Sequence, residues 1–373
     1  MKRSILMFCL ALTSLASCSS TDDSDKNTSD GFDRTALLTY TADQRIIPIF
    51  KDLQAELTVL ESTRADFENN PNSTQLEQLS AAWLSAYKVW QHLQMYNLGQ
   101  AATTSLDAER GFRTYFNRYP VDQQRIEELV AAGDYDFEAI PTYNAQGFPG
   151  LDFLLHGTAT GDAQAIDKFT SNTLAANYQQ YLKDLVAHMQ QVNTRLLNDW
   201  QNEYRATFIN NTQNGQDGSF NKMANDFVFF YEKGFRAEKF GIPAGVFSNQ
   251  PLPDRVEGLY KKDVSKALAL AALDAIENAF NGKAYQQQTE GPAFKQYLEF
   301  LDRSDLVQNI NQQFEDSREA INQLDDNFYL QVQNNNSQMT QTYDVIQAAV
   351  PKLKVDMKQA LDFSIDYQDS DGD

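Results

Sequence analysis

The eleven residues from Gly147 to Gly157, GFPGLDFLLHG, set one carboxylate, one imidazole and three glycines around an apolar run. Asp152 and His156 are four apart, so on a helix they share a face and can interact. A carboxylate beside an imidazole can hold a divalent metal or move a proton, which makes this pair the first candidate for chemistry. The stretch also has a purely structural reading. Pro149 suits the first turn of a helix, and Asp152 lies toward its positive start. His156 falls in the last turn, and Gly157 can supply a left-handed cap.

Other constellations are weaker. The chain has only three histidines, His92, His156 and His188. Val89, Phe153 and Leu185 stand three residues before them, so the Glu-x-x-His pair typical of metal centres in helical bundles is absent. A three-histidine zinc site would need distant segments to converge. No glycine-rich phosphate loop, serine nucleophile elbow or HExxH motif occurs. The terminal DYQDSDGD resembles the start of a calcium loop at Asp369, Asp371 and Gly372. It lacks the later bidentate glutamate and reads as an acidic tail.

These residues must be positioned by helices. Leu76, Leu79, Trp83, Tyr87, Trp90 and Leu93 recur at steps of three and four, with a capping box expected at Thr74 and Glu77 and a stop at Gly99. Residues 37–67 carry a similar stripe, which Pro48 should start or kink. A helical pattern runs from Ala163 to Phe208, and an aromatic helix follows over FNKMANDFVFFYEKGFRAEKFG. Further helices are expected over 263–280, 292–301, 304–331 and 338–361. Strand signals are confined to short pieces such as FSIDY, so the expected class is all-α, built from helical bundles. A long helix followed by an aromatic helix occurs twice, ending on YNLG and then on EKFG. That echo suggests a duplication, with one bundle over residues 33–160 and a second over 161–373.

The start of the chain, MKRSILMFCLALTSLASCSS, has a basic opening and an apolar run too short to span a bilayer. LASC reads as a lipoprotein cleavage site, giving a signal peptide over residues 1–17 and acylation at Cys18. Residues 18–32 then form an acidic tether, poor in anything to bury. This reading uses both cysteines, Cys9 and Cys18, so the mature chain has no thiol chemistry and no disulfide. The formal net charge of −20 becomes −22 once the positive charges of Lys2 and Arg3 leave with the leader. Such a surface repels nucleic acid and attracts cations or basic partners.

Six tracts then fall in a familiar order: WLSAYKVWQHLQMYNLG, RYPVDQQRIEELV, GFPGLDFLLHG, FRAEKFGIPAG, RVEGLYKKDVSKAL and the closing VIQAAVPKLKVDMKQALDFSIDYQDSDGD. Together they resemble the imelysin-like lipoproteins of the Bacteroidetes across nearly all of the mature chain. The resemblance implies two helical bundles related by duplication, on an outer-membrane lipoprotein, periplasmic or surface-exposed, associated with iron uptake. It also implies a cleft bearing a Gly-x-His-x-x-Glu signature, proposed to bind a metal or another ligand. Here Gly147 matches the glycine, Pro149 stands at the histidine and Asp152 at the glutamate. Arg236, Glu238 and Lys239 match a charged tract facing the same cleft, with a solvent-exposed helix end as the alternative. The ligand-binding cleft is thus expected at Gly147, Pro149, Asp152, His156, Arg236, Glu238 and Lys239. Asp152 and His156 are the candidate ligands for iron or another divalent metal. The expected role is a binding protein for iron or haem acquisition without peptidase activity, beside an outer-membrane receptor or a haem protein. A metallopeptidase, as the family label has it, and a glycan-binding or scaffold lipoprotein are the alternatives.

Overall fold

The computed structural model describes residues 30–367. The leader, Cys18, the tether as far as residue 29 and the terminal DSDGD lie outside the described residues.

The expected all-α class is what forms. Among the described residues there is no strand, only an isolated antiparallel bridge between Lys283 and Glu290. Pro48 opens the helix Ile47–Asn69, directly after a π-helical turn over Ala42–Ile46. The next helix, Ser73–Leu93, carries the tryptophan stripe. Its cap is Asn72, not the expected Thr74–Glu77 box: Asn72 has extended backbone and its side chain accepts from the N–H of Gln75 at 3.1 Å. The helix also ends at Leu93 and not at Gly99. Gly99 instead has a positive φ of 61° beneath the Tyr204 ring, where a Cβ would come within 2.6 Å.

The pattern expected from Ala163 to Phe208 is broken into a 3₁₀ turn at Ala165–Phe169, the helix Ala175–Asp199, a π turn at Trp200–Tyr204 and a last turn at Arg205–Asn210. The aromatic segment is a helix over Ser219–Phe229 that widens into a π-helix over Phe230–Gly241. The break expected between residues 331 and 338 is present as a kink at Asn335, whose backbone is non-helical (φ −150°, ψ 66°), and a further break not expected from sequence separates the helices Ser304–Asn322 and Phe328–Gln347. Asn327 caps the second of these through Leu330 N–H, while Asp325 accepts from Asn327 N–H at 2.8 Å. These local side-chain bonds compete with the helix and stop it.

Helix Ile47–Asn69 packs against Ser73–Leu93 and Ala175–Asp199, and Ser73–Leu93 packs in turn on Ser265–Asn281. Trp83, Trp90 and Trp200 are fully buried in one continuous core. The described residues from Phe32 onward form one compact unit. Among the described residues no helix is long and apolar enough to cross a membrane.

Candidate functional site

GFPGLDFLLHG forms the helix Gly147–His156, here called the signature helix. Gly147 sits at φ 70°, and a Cβ there would strike the carbonyl oxygen of Phe116 at 2.4 Å. Only glycine fits that approach. Pro149 has no N–H for the carbonyl of Ala145 four residues back, and that carbonyl accepts from the Tyr181 hydroxyl at 2.7 Å. Trp83 donates its indole N–H to the Phe148 carbonyl at 3.0 Å, and Tyr87 stacks on the Phe148 ring. The far end differs from expectation. Gly157 is extended (φ −76°, ψ 168°) and not left-handed. It is glycine because a Cβ would press on Phe153 and the Tyr260 ring. The cation at this helix end is Lys168, whose ammonium donates to the Gly157 carbonyl and lies over the Phe153 ring. Burial lowers the Lys168 pKa to about 8.

Asp152 is 2% exposed, and its carboxylate is fully engaged. It accepts from the backbone N–H of Tyr260 at 2.9 Å and of Lys261 at 2.8 Å, and meets His156 Nδ1 at 2.9 Å. Against an ionised carboxylate Nδ1 must carry the proton, which leaves Nε2 to accept from a donor. That partner is the Ser80 hydroxyl at 2.7 Å, with the Trp83 ring 5.0 Å from the imidazole. Neither ring nitrogen is open to a metal.

The charged tract of the π-helix divides. Arg236 is buried among Tyr343, Gln347 and Glu232, away from Asp152. Glu238 pairs with Arg110 at 2.7 Å. Lys239, 2% exposed, donates to Glu257 and to Gln91 Oε1. Glu257 also accepts from Gln91 at 3.0 Å and Asn117 at 2.8 Å. Burial alone would raise the Glu257 pKa, but the Lys239 charge and these donors outweigh it and hold the carboxyl below its ordinary range. Arg236 and Lys239 are therefore interior groups, and an exposed helix end does not describe them.

Asp152 and Lys239 do not touch, but both grip one segment, residues 256–262. Glu257 is held by Lys239, Gly258 turns the chain at φ 74°, and Tyr260 and Lys261 hang on Asp152. Gln91, Asn117 and Glu257 were not singled out from sequence. Glu257 lies in the RVEGLYKKD tract, where it reads as one more acid in an acidic chain.

Next to this lock is a cavity of about 430 Å³ whose polar lining is Arg110, Arg118, Arg255, Tyr119, Asn144 and one acid, Asp122. Arg118 pairs with Asp107, while Arg255 is exposed and has no ion-pair partner among the described residues. The Tyr119 hydroxyl is buried without a hydrogen-bond partner among the described residues. Burial and the nearby Glu257 charge push its pKa far up. His92 packs edge-on to Tyr285 and His188 to Tyr115, so the three histidines do not converge. Burial lowers both His92 and His188 to about 4. Among the described residues no group of three or more His, Cys, Asp or Glu could hold a metal ion.

The family model for imelysin, labelled peptidase M75, matches residues 46–359. The chain belongs to the imelysin family. An imelysin-like protein from Psychrobacter arcticum has a similar solved structure, with a TM-score of 0.70 and 16% identity over 90% of this chain and 97% of that one. A protein from Parabacteroides distasonis, provisionally named iron-regulated protein A precursor, also scores 0.70 at 16% identity, over 88% and 95% of the two chains. At such identity the likeness speaks for the imelysin fold alone. No curated protein matches the sequence.

Proposed function

We propose that this imelysin-family chain is an exported binding protein that serves iron acquisition at the outer membrane, anchored by lipid at Cys18, and is not a peptidase. The observation that carries the reading is the saturation of Asp152 and His156. Metal-assisted hydrolysis needs an open ligand set and an activated water. Here both carboxylate oxygens and both ring nitrogens already have protein partners. These residues do not fit a metal centre. Support for iron comes from the name of the Parabacteroides relative and from the resemblance in sequence. The arginine cavity supports a ligand that presents carboxylates, since guanidinium groups match them in geometry and charge. Iron would then arrive as haem or as an anionic chelate and not as the bare ion, delivered beside a receptor or haem protein.

Calorimetry with haem, a ferric polycarboxylate, Fe(II) and Fe(III) tests this. The expected result is binding of haem or the chelate, weakened about tenfold by Arg255→Ala, the loss of one charge-assisted contact. Flat titrations throughout sink the iron reading. An unfolded protein substrate should stay intact with or without zinc. Metal-dependent cleavage abolished by Asp152→Ala would establish a peptidase instead.

A further inference from the structure

A separate cavity of about 400 Å³ opens beside the helix Ser219–Phe229, within the usual size range of small-molecule sites. Residues 97–103 and Tyr204 form part of its wall, and three further pieces of chain supply the groups that matter here. Asp226 and Phe229 come from that helix, and Arg113 from the short helix Arg113–Phe116. Asp366 and Tyr367 come from the strip that follows the last helical turn. That strip is fixed by two asparagines one turn apart: Asn221 accepts from Ser364 N–H at 2.7 Å, and Asn225 from Asp366 N–H at 3.1 Å. The FSIDY tract is thus neither helix nor strand, and it serves as a wall.

A basic and an acidic side chain line the cavity without forming an ion pair with each other. Arg113 donates to the backbone carbonyls of Arg110 at 3.2 Å and Glu109 at 2.6 Å, and lies 4.8 Å over the Phe229 ring. Among the described residues it forms no ion pair. Asp226 Oδ2 is buried with no hydrogen-bond partner among the described residues. Buried charges are ordinarily paired, because desolvation without a partner is costly. A guanidinium bonded only to carbonyls, and a carboxyl whose bond from the Asn97 backbone N–H leaves Oδ2 without a partner, line one void beside the rings of Tyr204, Phe229 and Tyr367, which a ligand bearing a carboxylate and an ammonium would complete.

We propose that this cavity binds a small zwitterion of the amino-acid class, its carboxylate on Arg113, its ammonium on Asp226 and its side chain among the aromatic rings. The termini of a short peptide carry the same chemistry. The proposal does not rest on the iron-related reading and fails or stands apart from it. Asp226 also predicts a proton signature. Burial lifts its pKa to about 8; Asp366 reinforces the rise, while Arg113 and the backbone N–H of Asn97 oppose it. Glu109, Tyr204 and Lys222 complete the charged and titratable lining, with Lys222 leaning 3.8 Å from Asp217. At pH 7 the empty site therefore carries a protonated carboxyl, and an ammonium that demands the carboxylate expels that proton.

Calorimetry of the purified chain with the twenty L-amino acids and dialanine is the test. At least one zwitterion should bind and release protons at pH 7, read by comparing two buffers of different ionisation heat. The release should fade above about pH 9, where the site is already ionised. The matching amine and the matching acid should each bind about tenfold more weakly or worse. Binding of dialanine alone would place the site with peptides, and binding of free amino acids alone with monomers. Asp226→Asn and Arg113→Gln should each weaken binding about tenfold or more. Asp226→Asn is isosteric with the protonated carboxyl, so its melting temperature at pH 6 should match the parent and separate lost binding from lost folding. Failure of every zwitterion to bind at millimolar concentration overturns the proposal, as does an Asp226→Asn variant that binds as tightly as the parent.

Discussion

At the scale of single residues, Asp152 shows how a signature position can be read for chemistry and turn out to hold the chain together. Two backbone N–H groups from residues 260 and 261 end on its carboxylate, in a place closed to water. Removing the acceptor strands both donors, and each buried group left unsatisfied costs about 1–3 kcal/mol. Asp152→Ala should therefore lower unfolding stability by roughly 2–4 kcal/mol in urea titration, with Asp152→Asn milder because one acceptor remains. A stability unchanged by the alanine would mean that the carboxylate is free for another task. The Asp152–His156 contact was legible because spacing of four on a helix is a local property. The partners of Asp152 lie 108 and 109 positions downstream, and no periodicity encodes that. Gly157 misled for a related reason. Glycine at a helix end suggests a left-handed cap, but here the constraint is the Tyr260 ring from far along the chain.

Among the elements, helix existence followed from apolar spacing, while helix ends followed from side chains that compete for backbone groups. Asn72 over Thr74 and the Asp325–Asn327 break are both cases of a nearby acceptor winning. The π-helical stretch Phe230–Gly241 was invisible in the pattern, since its apolar residues also satisfy an α-helical stripe. Within that stretch, Lys239 lies buried on Glu257, where Gln91 and Asn117 also donate. A buried pair broken on one side leaves an uncompensated charge, at about 3–5 kcal/mol, whereas removing both charges is often neutral. Lys239→Met should destabilise by that amount, and adding Glu257→Gln should restore most of it. A double-mutant cycle by chemical denaturation reads the coupling. Additive effects would show that Lys239 and Glu257 do not depend on each other. The charge of Lys239 was visible in sequence, but its burial was not, because one cation in a mixed charged tract looks like surface.

For the whole molecule, the division read from the sequence near residue 160 meets packing that runs across it. The helix Ile47–Asn69 lies on Ala175–Asp199, and Ser73–Leu93 lies on Ser265–Asn281. Gln91 and Asn117 on one side of residue 160 share Glu257 and Lys239 on the other, and Asn193 donates to the Phe50 carbonyl. A chain cut at residue 160 would expose the faces of both long helices together with half of a buried charge network. Each large apolar side chain returned to water forfeits about 1.5–3 kcal/mol, and a few of these equal the whole stability of an ordinary domain. Residues 33–160 expressed alone should therefore lack a cooperative thermal transition and bind a hydrophobic dye. The full chain should melt in one transition, with near-UV dichroism of its buried tryptophans and far-UV dichroism changing together. Two separated transitions, or a folded 33–160 fragment, would mean instead that the two sequence halves are independent bundles whose shared contacts add little.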